Sequence, residues 1–99
     1  MSEFSSKVYQ VVKKIPKGKV VTYSQVAKLI GAPKSTRAVG QVLKINPTPI
    51  IIPCHRVISA TGGIGGYAGG LPKKIELLKK EGIKVKNGKI DLKKYGARF

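Results

Sequence analysis

The chain holds one cysteine and one histidine, and they are neighbours in Pro53-Cys54-His55-Arg56-Val57. A thiol beside an imidazole is the pairing that sulfur nucleophiles use, because the thiolate attacks and a base must take its proton. A free thiol with a pKa of ~8.5 is little ionised at neutral pH, and nearby imidazole and cations raise that fraction. Adjacency is not contact. In an extended segment neighbours point to opposite faces, so Cys54 meets His55 only through a turn or a bridging water. Taken alone, a cysteine just after Ile50, Ile51 and Ile52 is more simply a small buried hydrophobe. Glu81 is a second oddity: an acid in the last turn of a helix opposes the macrodipole. It is either exposed among lysines or orienting something cationic. One Cys and one His exclude a disulfide framework and a protein-only zinc site, so no metal is expected. A free thiol suits a reducing, cytoplasmic setting.

The elements that must position these groups follow from periodicity. Ser5 or Ser6 is expected to cap a helix with Val8, Val11, Val12 and Ile15 on one face, stopped by Pro16 and Gly18. After a short extended Val20 and Val21, Thr22-x-x-Gln25 has the form of a capping box. A second helix follows with Val26, Leu29 and Ile30 inward. Gly31 to Lys34 break it, and Ser35 or Thr36 caps a third helix with Val39, Val42 and Leu43 apolar. Two short helices joined by a Gly-containing turn have the helix-turn-helix outline, which periodicity alone does not separate from an ordinary αα-hairpin. Residues 47–53 read as a buried extended connector, since their prolines strip backbone donors.

Residues 62–70 hold six of the twelve glycines. Gly63-x-Gly65-x-x-Ala68 is only nominally a dinucleotide fingerprint, as no βαβ unit surrounds it. Leu71, Ile75 and Leu78 mark a fourth helix, with Pro72 in its first turn and Gly82 as its stop. Asn87-Gly88 then predicts a hairpin, either a basic wing over phosphates or a solvated ribbon. The expected fold is mainly α: a small helical bundle with a winged-helix-like helix-turn-helix, a Gly-rich active-site loop and a short C-terminal β-hairpin.

The chain has 99 residues, enough for one domain over residues 1–99. Lys plus Arg number 20 against 4 Asp plus Glu, a net charge of +16. The excess is no tail, since residues 1–53 and 54–99 each carry a net +8. Self-repulsion of this size points to a polyanionic partner, nucleic acid before an anionic membrane surface. No membrane-spanning run and no signal peptide is seen.

Pro53-Cys54-His55-Arg56-Val57, preceded by Arg37-Ala38-Val39-Gly40 and Asn46-Pro47-x-Pro49 and followed by Gly66-Tyr67-Ala68-Gly69-Gly70-Leu71, strongly resembles the O6-alkylguanine-DNA alkyltransferases. These are methylated-DNA–protein-cysteine methyltransferases, and the likeness is to their catalytic C-terminal domain, from about Val8 to Gly82. Four blocks in the family's order overturn the plain reading of Cys54 as core.

The resemblance implies direct repair of DNA, with the alkyl group of O6-alkylguanine transferred irreversibly to Cys54. O4-alkylthymine is a second candidate substrate. By similarity His55 takes the thiol proton through a water, Glu81 holds the imidazole and Asn46 braces the active-site turn. Tyr23 would donate a hydrogen bond to the leaving base, while Val57, Tyr67, Ala68 and Gly69 form the base pocket. The target nucleotide must be flipped out of the duplex. Arg37 would fill the vacated stack, with Thr36, Ala38, Gly40, Gln41 and Tyr23 also at the DNA. The third helix would enter the minor groove, where small side chains fit and few bases are read. No cofactor is implied. The expected partner is double-stranded DNA carrying alkylated guanine, met by a monomer associated with the nucleoid.

Three departures from the family pattern are expected: a single domain without the usual N-terminal one, Ala68 in place of a common Ser, and Gln41 in place of a frequent Gly. The nearest rival is a non-enzymatic, alkyltransferase-like lesion sensor, a class with another residue at the cysteine position. A Cys-His hydrolase would leave the charge and Arg37 unexplained, and a plain basic nucleic-acid module would leave Cys54-His55 unexplained.

Overall fold

A computed structural model of the chain describes residues 3–45, 51–65 and 70–97. In order these form α1 (Glu3–Lys13), β1 (Val21–Thr22), α2 (Tyr23–Leu29), α3 (Thr36–Lys44), a 3-10 turn (Cys54–Arg56), β2 (Val57–Ile58), α4 (Leu71–Lys80) and α5 (Leu92–Tyr95). Mainly helical architecture is as expected. The one two-stranded sheet is parallel, with Val21 opposite Val57 and Thr22 opposite Ile58.

This small sheet divides the core. Successive strand residues face opposite ways, so Val21 and Val57 join the cluster built by α1, α2 and α3, while Val20 and Ile58 join a second with Ile64, Leu78, Ile83 and Ile90. The C-terminal segment closes against the sheet through Val20 N to Tyr95 O (2.8 Å) and Ala97 N to Val20 O (2.7 Å).

The first helix begins at Glu3, so Ser5 and Ser6 lie within it and do not cap it. Phe4, packed against the core, extends the apolar stripe of Val8 and Val12 back by one turn, and Glu3 complements the dipole in the first turn. The capping box of α2 is present in full: Gln25 N donates to Thr22 Oγ1 (3.1 Å) and Thr22 N to Gln25 Oε1 (2.9 Å). Val26 and Ala27 are buried, whereas Leu29, expected inward, is exposed. Val39 and Leu43 seat α3, and Tyr9 Oη donates to Val42 O (3.0 Å), tying α1 to α3.

Of the connector, residues 51–53 are described: Ile52 and Pro53 are buried, while Ile51 is 73% exposed. Residues 46–50 and 66–69 lie outside the described residues. The expected C-terminal hairpin is reduced to its turn. Asn87 (φ 53°) and Gly88 (φ 73°) have the left-handed backbone of a type I′ turn, and Lys86 and Lys89 exchange both hydrogen bonds across it. Pairing there goes no further than that bridge, as Lys89 also bridges Gly63. Asp91 then caps α5, accepting from the backbone of Lys93 and Lys94.

Candidate active site and nucleic-acid interface

The parallel register brings the two ends of the site together. Tyr23 follows β1 directly and opens α2, while the 3-10 turn with Cys54 leads directly into β2. The turn is closed by Cys54 N to Ile52 O (2.7 Å) and Arg56 N to Pro53 O (2.9 Å). It lets the neighbours Cys54 and His55 diverge, each toward a different wall.

Cys54 is buried yet lines a cavity of about 630 Å³ together with Tyr23, Thr36, Arg37, Gly40, Gln41, Leu43 and Lys44. Thr36, Arg37, Gln41 and Lys44 are exposed residues of α3. One concavity thus joins the lone thiol to the solvent-facing side of the second helix of the helix-turn-helix. The cavity is open to a planar ligand presented at that surface, of the scale that small-molecule sites occupy.

His55 points away from this cavity to the end of α4. Its Nε2 lies 3.1 Å from Glu81 Oε2. The Glu81 carboxylate is also gripped by Arg56, through Nε to Oε1 (2.8 Å) and Nη2 to Oε2 (2.5 Å), and Arg56 Nη1 donates to Ile15 O (2.8 Å). This fork explains an acid at the C-cap of a helix: the guanidinium offsets the unfavourable dipole. Burial alone would raise the Glu81 carboxyl, but the hydrogen bonds from Arg56 and His55 outweigh it and hold it below the usual range. Burial lowers the His55 pKa, only partly offset by Glu81. At neutral pH the pair is therefore a neutral imidazole beside a carboxylate. A carboxylate only accepts, so Nε2 carries the proton and Nδ1 presents a lone pair. Nδ1 is buried and makes no hydrogen bond to the described residues. Among the described residues it is a basic atom left open to a further partner.

Gly65 fixes the far side. Its φ is +74°, and a Cβ there would sit 2.8 Å from Tyr23 Oη, so only glycine lets this loop close on the tyrosine. Val57 does not line the cavity. It is fully buried, and its carbonyl accepts from Lys74 Nζ (2.7 Å). Ala38 is half-buried on α3. Asn46, Tyr67, Ala68 and Gly69 lie outside the described residues.

Sequence reasoning missed two participants. Arg56 carries no role in the sequence motif, although its position beside His55 is the available signal. Lys74 is fully buried. It falls among Leu71, Ile75 and Leu78 at helical spacing, so a charge on an apolar stripe was the clue. Among the described residues no three metal-binding side chains cluster and no helix is long and apolar enough to cross a membrane.

Residues 3–83 match the family described as 6-O-methylguanine DNA methyltransferase, DNA binding domain. The chain belongs to that family. A methylated-DNA–protein-cysteine methyltransferase from Methanosarcina acetivorans is 52% identical over 81 residues, covering 82% of this chain and 52% of the relative. The chain thus spans about half the length of that relative. A structure of S. pombe Atl1 in complex with damaged DNA containing O6-carboxymethylguanine superposes with a TM-score of 0.91 at 34% identity, covering 100% of this chain and 98% of that one. Mycobacterium tuberculosis OGT in complex with DNA gives 0.81 at 43% identity, over 83% of this chain and 50% of the other. Within the methyltransferase DNA-binding family, then, the fold is shared both by chains of this length and by halves of longer ones.

Proposed function

We propose that the protein repairs DNA directly, moving the alkyl group of O6-alkylguanine onto Cys54, and that this domain carries the catalytic groups as well as the DNA-binding surface. The observation that carries this reading is the shared cavity, which sets Cys54 and Tyr23 against Arg37 and Gln41 of α3. A binding module has no need of a thiol at the floor of its interface.

In this reading DNA docks on α3, Arg37 takes the place of the flipped nucleotide, and the alkylated base enters the cavity. The Cys54 proton passes through one water to His55 Nδ1, while Glu81 keeps the Nε2–H tautomer in place. The sulfur forms a bond to the alkyl carbon as the carbon–O6 bond breaks, and the electron pair stays with the purine. Tyr23 donates to the leaving base, and the base gains one proton for the one the thiol gave up. Such donors placed where charge develops are worth several kcal/mol in a dry site. The thioether has no route back to a thiol, so each molecule acts once. No metal or organic cofactor takes part.

The test is the stoichiometry of methyl transfer from a duplex carrying labelled O6-methylguanine. Transfer should stop at one methyl per protein and be absent in Cys54→Ala, which should still bind the lesion. A second reading, the non-enzymatic lesion sensor, is favoured by the near end-to-end match to Atl1. It requires tight lesion binding with no methyl acquired by the wild type.

A further inference from the structure

We propose that the lysine-flanked turn at residues 84–89 is a phosphate-gripping wing: Lys84, Lys86 and Lys89 hold the sugar-phosphate backbone of the duplex at steps outside those that α3 covers. This deepens the reading given above, from which it takes duplex DNA as the partner.

The turn is more cationic than its fold requires. Residues 84–99 carry Lys84, Lys86, Lys89, Lys93, Lys94 and Arg98 against one acid, Asp91. Asp91 is engaged at the cap of α5, and the other three acids pair elsewhere: Glu3 with Lys7, Glu76 with Lys73 and Lys80, and Glu81 with Arg56. Lys84, Lys86 and Lys89 are exposed and form no ion pair among the described residues. Lys86 and Lys89 also oppose each other directly. They exchange both backbone hydrogen bonds (2.9 and 3.0 Å), an arrangement that puts both side chains on one face with Cα atoms about 5.5 Å apart. Like charges so placed destabilise a hairpin, and an anion between them relieves the repulsion. Beside them, Lys79, Lys84 and Lys86 line a cavity of about 560 Å³ with Gly82, Ile83 and Val85. Every charged group in that lining is a lysine.

The turn is also fastened to the wall of the thiol cavity. Lys89 bridges Gly63, and Ile90 N donates to Gly62 O (2.8 Å). A Cβ at Gly62 would lie 2.7 Å from Ile90 O, so only glycine lets the two segments approach this closely. Two residues beyond Gly63, Gly65 abuts Tyr23, which lines the cavity with Cys54. Bridged residues sit about 5 Å apart and two residues span at most about 7 Å, so the Lys89 backbone lies within about 12 Å of Gly65. That is three to four base steps of about 3.4 Å along a strand. Ile83 and Ile90 root the turn in the second core cluster, whereas Val39 and Leu43 root α3 in the first. The turn therefore adds phosphates to those that α3 reaches. A membrane surface is the poorer occupant: the tip is Asn87-Gly88 and the nearby Ile83 and Ile90 are buried, which leaves no large apolar side chain to insert.

The test is the salt dependence of binding to an unmodified duplex. It compares the wild type with a wing variant, Lys84→Gln with Lys86→Gln and Lys89→Gln, and with a control, Lys13→Gln with Lys14→Gln and Lys17→Gln. The control removes the same charge from other exposed positions, and circular dichroism confirms that each protein is folded. Each phosphate contact contributes about 0.9 to the slope of log K against log salt, so the wing variant should lose about 2 to 3 and the control less than about 1. Binding by the wing variant at 0.15 M salt should be at least tenfold weaker than wild type. Equal losses in both variants would overturn the proposal, since the lysines would then act through net charge alone. So would an unmoved slope in the wing variant, including one accompanied by lost binding to phosphatidylserine vesicles. A selective loss of slope in a protein whose wild type accepts no methyl from DNA would refute the proposed function and leave the wing standing; methyl transfer to Cys54 with an unmoved slope would do the reverse.

Discussion

At the scale of single residues, the site separates tasks that adjacency in the sequence merges. Cys54 and His55 are consecutive, yet one lines the cavity and the other is anchored to Glu81 behind it. Because burial depresses His55, the imidazole stays basic and unprotonated through neutrality. In the repair reading the rate of transfer from DNA should therefore hold as pH falls through 7 and decline only below about 6.5, the ordinary histidine value, once Nδ1 is protonated. Glu81 raises His55, so Glu81→Gln should move that acidic limb to still lower pH. It should also lower the plateau on the order of 100-fold, because an amide no longer enforces the Nε2–H tautomer. A pH–rate profile of both proteins checks this, and an unchanged plateau would remove Glu81 from the machinery. Cys54, His55 and Glu81 stood out in the sequence as the lone thiol, the lone imidazole and an acid at a helix end, but their roles rested on the family resemblance. Lys74 did not: one lysine among many looks solvated until the packing removes its water.

The secondary elements explain why Tyr23 and Cys54, 31 positions apart, share a wall. Thr22-x-x-Gln25 was readable as a helix start, and the structure seats Tyr23 on it through both capping hydrogen bonds. The parallel pairing of β1 with β2 was not readable, because two-residue strands carry no periodicity and their partner is distant in the chain. The hairpin stays short for a related reason: Asn87-Gly88 fixes a turn closed by the Lys86–Lys89 bridge, but a longer ladder needs a sheet to join, and beyond Lys86 the bridge of Lys89 among the described residues is to Gly63. The loop through Gly65 is the most sensitive element. Gly65→Ala sets a Cβ against the tyrosine at a left-handed φ. It should destabilise the fold by about 1–2 kcal/mol and, by displacing Tyr23, slow methyl transfer on the order of 100-fold. Thermal melting and single-turnover kinetics read the two effects separately; a variant with wild-type kinetics would show that the position of Tyr23 does not matter.

For the whole molecule, a net charge of +16 is spread over a body 34 × 25 × 20 Å across, with both halves of the chain contributing equally. Such a surface attracts phosphate without reading sequence, which in the repair reading is what inspection of any duplex requires. The attraction was legible from composition alone, whereas the face proposed to meet DNA became visible only once α3 and the cavity were found to share Arg37. Replacing Arg37 by Ala should slow repair in duplex DNA far more than reaction with free O6-benzylguanine, which needs no flipping; equal losses would remove the finger role. The central claim is that this domain is itself the alkyl acceptor, and intact-protein and peptide mass spectrometry after incubation with an O6-methylguanine duplex tests it most directly. The expected result is a gain of one CH2 located on Cys54, with Cys54→Ala unchanged, whereas an unmodified Cys54 in protein that remains bound to the lesion would contradict it.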